Sequence, residues 1–374
     1  MFEKLGKRAL AIPLVVPVVL VCMFSLMFYP MARMELKGLP FAVVCLDEGI
    51  DMPAGHVNAG EAMVEQLTDP DAGGVEEEAD SESTEGGSLM SADAVSWVEY
   101  GSQEELDAAF DAGEIYGAIV IPENFTLSQA AQDVGEANLR VYLDKAKSPL
   151  IATQLQSGMS LMLARLGVGA DVEVINDGGY AGEDASPMSG MLLLQVSLLP
   201  LVLGSAVGAL VLSRALRLGE GRRGRFAKLA QQLGVMVVAS GVMALCAYAA
   251  VIVVVGAEIP LATSVLFMWL AGFCVMLLVC GAADVHLALG VLVVLLVMGF
   301  GNMTGVLPYE TLPAFWQDWV YPWAPQRFIG DGLREVFYRG FGVLNAGTAG
   351  VATIGAVGLA LGCLAALLPR GKKA

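Results

Sequence analysis

Hydrophobic positions in this chain gather into long runs separated by polar sequence. The runs are Ala9 to Tyr29, Met188 to Leu212, Leu229 to Gly256, Thr263 to Gly281, Leu287 to Leu307 and Ala349 to Leu368, and none contains Asp, Glu, Lys, Arg or His. A helix needs roughly 20 apolar residues to cross the hydrocarbon core of a bilayer. The pattern therefore predicts six membrane-spanning helices. The first run is longer than a signal-peptide core and is not followed by a small-x-small cleavage site. It ends in Phe28-Tyr29-Pro30, as a span does where it meets the interface.

Between the first and second runs the pattern changes. Pro40 to Leu46, Ser96 to Tyr100, Ile115 to Ile121 and Leu139 to Leu143 read as strands, bounded by turn residues such as Asp47-Glu48-Gly49 and Pro122. Ala59 to Leu67 and Leu150 to Leu166 read as helices. Ser102 and Glu105 form a capping box for a third helix, through Phe110. Residues 31–187 are thus predicted to form a small α/β domain. Asp69 to Asp93 interrupts it with Glu, Ser and Gly and few large apolar residues. That stretch cannot bury enough surface to offset its ordering entropy, so a disordered acidic loop is expected over 69–93.

Charge fixes the sidedness. Of 374 residues, 56% are hydrophobic and 16% charged, with mean hydropathy +0.65. Met31 to Pro187 holds 30 of the 38 acidic residues and only 6 of the 21 basic ones. The N-terminal Lys4, Lys7 and Arg8, the cluster Arg214, Arg217, Arg222, Arg223, Arg225 and Lys228, and the C-terminal Arg370, Lys372 and Lys373 all fall on one side if six spans form. By the positive-inside rule that side is the cytoplasm. The expected layout is a cytoplasmic tail and first helix (1–30), an extracytoplasmic domain (31–187) and a five-helix membrane domain (188–374). Both termini are then cytoplasmic, in a multi-pass protein of the cell membrane.

Little here resembles an active site. No GxxxxGK[ST] phosphate loop, GxSxG or HExxH occurs, and the only histidines, His56 and His286, fall on opposite sides of the predicted membrane. The expectation is not an enzyme, with no catalytic, cofactor-binding or metal residues in this chain and no nucleic-acid partner. Five of the six cysteines lie in the apolar runs and read as packing residues, and Cys45 stands alone in the polar domain.

Four features outside the α/β domain remain as candidates. The Arg214 to Lys228 loop has two compatible readings: it fixes topology by attracting anionic headgroups, or it docks a cytoplasmic partner. The loop 308–348 concentrates Trp316, Trp319, Tyr321 and Trp323 around Pro322 and Pro325. Two short amphipathic helices are expected there, broken at the prolines and lying in or dipping into the outer leaflet. Gly204 with Gly208, Gly301 with Gly305 and Gly358 with Gly362 have small-xxx-small spacing, read as packing within one subunit or as a dimer face. Asp284 and His286, in a very short turn between the fourth and fifth runs, have two readings: ionisable groups of a proton or ion pathway, or, as expected here, a turn reaching cytoplasmic water.

Leu39-Pro-Phe-Ala-Val-Val-Cys-Leu-Asp-Glu-Gly49, Tyr116-Gly-Ala-Ile-Val-Ile-Pro-Glu-Asn-Phe125, Leu312-Pro through Pro325 and Gly332-Leu-Arg-Glu335 occur in a distinctive order. In that order the chain resembles the ABC type-2 transporter permeases, in particular the YhgE/Pip-like branch. It departs at Cys45, where that branch commonly carries Asn. The resemblance implies a homodimer or pseudo-dimer in the lipid bilayer, with ATP bound by separate cytoplasmic subunits. The segment before Ala9 and the Arg214 to Lys228 loop would transmit ATPase closure to the spans. The function implied is export of an apolar or amphipathic substrate. The alternative is a cell-surface receptor or secretion-machinery component whose outer domain binds protein or envelope polymer.

Overall fold

The computed structural model describes residues 7–34, 36–53, 55–68, 94–131, 139–165, 169–178, 189–217 and 221–368. In chain order the elements are α1 (Lys7–Ala32), β1 (Leu39–Cys45), β2 (Ile50–Met52), β3 (Gly55–Val57), α2 (Ala59–Thr68), β4 (Val95–Glu99), α3 (Gln103–Ala112), β5 (Gly117–Ile121), α4 (Phe125–Ala131), β6 (Leu139–Asp144), α5 (Pro149–Arg165) and β7 (Ala170–Ile175). They continue with α6 (Ser189–Ala215), α7 (Arg222–Ala250), α8 (Leu261–Val285), α9 (Leu287–Gly301), α10 (Pro325–Tyr338) and α11 (Thr348–Leu367). The chain divides into two compact units, one holding β1 to β7 with α2 to α5, the other α1 with α6 to α11.

The first unit is an α/β sheet with strand order β4-β1-β5-β6-β7. β1 runs parallel to both β4 and β5, β5 and β6 are antiparallel, and β6 and β7 are parallel. Because β1 and β5 are central, both their faces are covered, which is why they read as unbroken apolar runs. Alternation along β1 sends Leu39, Phe41 and Val43 into one core layer, with Ile119, Val141 and Leu155. It sends Ala42 and Val44 into the opposite layer, with Leu106, Phe110 and Ile115. The Ser102 cap of α3 forms, the Glu105 N–H donating to Ser102 Oγ at 3.2 Å, and the reciprocal bond falls one residue earlier than in a capping box, Glu105 Oε2 accepting from the Gly101 N–H at 3.0 Å. Such a cap contributes about 1 kcal/mol.

Three elements of this unit are additions to the sequence reading: the β2–β3 hairpin, α4 and β7. β7 alternates exposed and half-buried residues, as an edge strand does. The acidic stretch 69–93 lies outside the described residues.

In the second unit, five helices among the described residues are long and apolar enough to cross a membrane. They are α6, α7 with its π-helical continuation Val251–Val255, α8, α9 with a 3-10 turn at Asn302–Gly305, and α11. α1 adds 26 helical residues and packs along α9. α8 is the central helix, in contact with α6, α7, α9, α10 and α11. Its tightest neighbour is α11. A Cβ built at Gly281 would strike the Gly358 carbonyl, and one built at Gly358 would strike the backbone of Leu277 and Leu278. The helices approach this closely only because both positions are glycine. Gly305 and Gly330 play the same part between the end of α9 and α10. Gly204 and Gly208 face the Met243 side chain on α7. All three small-residue spacings therefore serve packing within the chain.

Candidate functional site

Two ends of the helical unit carry the residues singled out by sequence. At one end α6 gives way to α7, and the helix restarts after Gly221, whose φ of +74° suits glycine. Arg214, Arg217, Arg222 and Arg223 are exposed there, and Lys228 is half-buried. Arg225 is already engaged: its Nε donates to the Ala366 carbonyl at 2.7 Å, where α11 ends. A cation at that terminus satisfies an orphan carbonyl and complements the helix dipole.

Beneath this loop lies a buried polar connection. Gln232 on α7 is fully buried, and its Nε2 donates to Leu216 O at 2.9 Å and to Asp284 Oδ1 at 3.3 Å. The end of α6, the first turns of α7 and the last turn of α8 are thereby joined through one amide. This corrects the reading of Asp284 as a water-facing turn. α8 continues to Val285, and Asp284 points inward at 2% exposure. Only His286 is exposed; its Nδ1 accepts from the Ala288 N–H at 3.2 Å and caps α9. A carboxylate at such depth keeps its place through polar partners.

At the other end the aromatic loop leads into α10. The expectation of two surface helices is corrected. The first is a five-residue π-helical turn, Trp316–Val320. The second, α10, begins at Pro325 rather than breaking there, and it is packed against α6, α8, α9 and α11. Pro325 is buried at the first helical turn, where its missing N–H costs nothing. Trp316 is a core residue: its indole donates to Phe300 O at 3.0 Å and its ring stacks on Tyr29 at 5.2 Å. Trp319 is 71% exposed and Trp323 41%. Tyr321 is half-buried, with the Arg327 guanidinium 4.1 Å over its ring.

The charges of α10 pair with residues one turn away, although Arg327 Nε is buried without a hydrogen-bond partner. Asp331 pairs with both Arg327 and Arg334, and Glu335 pairs with Arg339 at 3.3 Å. Arg334, 8% exposed, also donates to the Gly305 carbonyl at 3.2 Å, where α9 has unwound. Gln326 donates to Val297 O at 2.7 Å. These bonds supply partners for backbone that irregular structure in a bilayer would otherwise leave unmet.

In the sheet unit, Asp47 is a residue whose role the sequence did not reveal. It is 7% exposed and accepts from the N–H groups of Gly60 and Thr126, each at 3.3 Å, and from the Thr126 hydroxyl. It thus ties the end of β1 to the starts of α2 and α4. Neighbouring Cys45 has its thiol pKa pushed up, chiefly by burial, with the carboxylates of Asp47, Glu61 and Glu99 adding to the effect. Among the described residues no cluster of three or more His, Cys, Asp or Glu is placed to hold a metal ion.

Comparison with curated proteins and with solved structures finds no match to this chain. Residues 7–368 match the family model described as ABC-2 family transporter protein. A multi-pass helical membrane unit and a match over nearly the whole chain agree, and the chain belongs to the ABC-2 transporter family.

Proposed function

We propose that this chain is the permease subunit of an ABC-type exporter, of the YhgE/Pip-like branch. It moves an apolar or amphipathic substrate across the cell membrane while separate subunits hydrolyse ATP. In this reading α1 is a sixth span, both termini are cytoplasmic, and residues 31–187 stand outside. Two permeases, identical or related, form the pathway between the second and fifth spans of each.

The observation that carries the reading is the joined end of the membrane unit. Four exposed arginines, Arg214, Arg217, Arg222 and Arg223, sit on a loop whose base is bonded through Gln232 to central α8 and through Arg225 to α11. A partner pressing on this loop has mechanical connections to the helices that carry the transition. A partner shifts such an equilibrium only by contacting the two states differently.

The test is co-purification of the full chain with its ATP-binding subunit. Replacing Arg222 and Arg223 by Glu lowers recovery of the complex several-fold and salt-sensitively, while the permease stays monodisperse. Undiminished recovery removes the loop from the docking surface.

A further inference from the structure

Among the described residues β2 and β3 pair only with each other, as a two-stranded ribbon outside the main sheet. Opposed residues share a face, so the register Ile50↔Val57, Asp51↔His56 and Met52↔Gly55 sorts the ribbon into two faces. Asp51 and His56 pair at 3.0 Å on one. Ile50, Met52 and Val57 make the other, with Met52 41% and Val57 44% exposed. A lone hairpin is marginal in water unless something packs on its apolar face. This ribbon is held from its base instead. Gly49 has a φ of +73°, and a Cβ there would strike the Val57 carbonyl, while Asn58 Nδ2 donates to Asp47 O at 3.1 Å. Leu127, 55% exposed, extends the apolar surface. Val57 and Leu127 stand two residues and one residue from the 2.7 Å bond that the Ala59 N–H donates to Thr126 Oγ.

The ribbon sits at one end of the sheet. β1 and β7 run in opposite directions, so the chain enters and leaves the sheet at one end, and the ribbon, which follows β1, lies at the other. Charge there has a single sign. From Gly38 to Leu139 the sequence holds 23 Asp and Glu and no Lys or Arg. Glu48, Asp51, Glu61 and Glu123, in the ribbon or beside the starts of α2 and α4, are all exposed. That field decides between the possible covers. A second copy meeting ribbon to ribbon would set acid against acid, and anionic lipid or nucleic acid would be repelled. A small cation would answer the carboxylates but leave Met52, Val57 and Leu127 in water. The complement to this surface is both cationic and apolar.

We propose that the β2–β3 ribbon docks a basic amphipathic peptide segment of another protein. Its apolar side chains lie on Met52, Val57 and Leu127, and its Lys or Arg side chains reach Glu48, Asp51 and Glu123. The unbranched side chain of Met52 lets the surface fit apolar groups of different shape. The proposal concerns the sheet unit alone and stands whether or not an ATP-binding subunit docks at the arginine loop.

The test uses the full chain in phosphatidylcholine nanodiscs and a fluorescent peptide of alternating leucine and lysine, followed by anisotropy against empty discs of the same lipid. Saturable binding to the loaded discs is expected, and it should weaken several-fold as salt is raised. Met52→Ser combined with Val57→Ser, both at exposed positions, should weaken binding several-fold and leave the melting temperature unchanged. Glu48→Lys combined with Glu123→Lys should weaken it at least as far and flatten its salt dependence. Glu104→Lys, on α3 at the opposite face of the sheet from α2, should change it little. Binding no greater than to empty discs overturns the proposal, as does binding that both ribbon variants leave intact. Equal binding of a peptide with serine in place of leucine would make the contact charge alone and overturns it too. So would an equal loss from Glu104→Lys, which would assign the effect to the general field of the unit.

Discussion

The two units of this molecule both bury large side chains, Phe267 and Phe337 in the helical unit as fully as Phe41 in the sheet unit, but they differ in how their elements approach one another and in what they leave exposed. In the sheet unit the largest side chains are inside, with Phe41, Tyr116 and Phe125 at 0–2% exposure. In the helical unit the closest helix contacts are made by glycines, Gly281 against Gly358 and Gly305 against Gly330. There, Val211, Val238, Val253 and Val254 stand 62–82% exposed. The difference follows from the solvent. Water drives large apolar groups inward. Hydrocarbon gives no such drive, so close backbone approach and internal hydrogen bonds hold the helices together.

The sheet unit should lose most from a single truncation. Phe41→Ala should cost about 3–5 kcal/mol, as large-to-small changes at buried aromatics do. Amide hydrogen exchange of the full chain should then show β1 and β5 losing protection while α8 keeps its own. Loss spread evenly over both units would mean that they share one core.

The reverse change tests the helical unit. Gly281→Val should cost about 1–3 kcal/mol by overpacking, seen as an earlier loss of monodispersity on heating in detergent. Gly234→Val is the control, since a Cβ there meets nothing within 4 Å. Equal effects of the two would sink the packing account.

Cys45 sharpens the contrast by titrating in the sheet unit. Its raised pKa means that the unfolded chain releases this proton at lower pH than the folded one. Its contribution to stability is complete below the ordinary thiol range and falls as pH rises through it. Alkylation by iodoacetamide should accordingly lag that of an unfolded control, and the gap should close with increasing pH. The smallest effect is expected on the open helix face. Val238→Ala should change stability by no more than about 0.5 kcal/mol, and a core-sized loss in the same melting assay would show that face to be covered.

The apolar runs were legible because charge is absent from them, β1 and β5 because central strands show no polar alternation, and β6 because Leu139, Val141 and Leu143 alternate with Arg140 and Tyr142. β7 was not, since its alternation follows a glycine-rich stretch and resembles loop. The burial of α10 was hidden by its four charged residues, Arg327, Asp331, Arg334 and Glu335, which read as an interfacial helix until their pairing with one another and with Arg339 at its end is seen. Asp284 was misread for a related reason: its amide partner, Gln232, is 52 residues away. The six basic residues of the loop were visible as a group, but nothing local marked Arg225 as the one bonded to another helix end.

The acidic sheet unit and the basic loop are predicted to face different aqueous phases. The direct measurement is labelling of intact cells with a membrane-impermeant maleimide, in a background without the native cysteines. Glu104→Cys, on exposed α3, should react at once, and Ala227→Cys, on the exposed start of α7, only after permeabilisation. Equal reaction at both sites, or the opposite order, would contradict it.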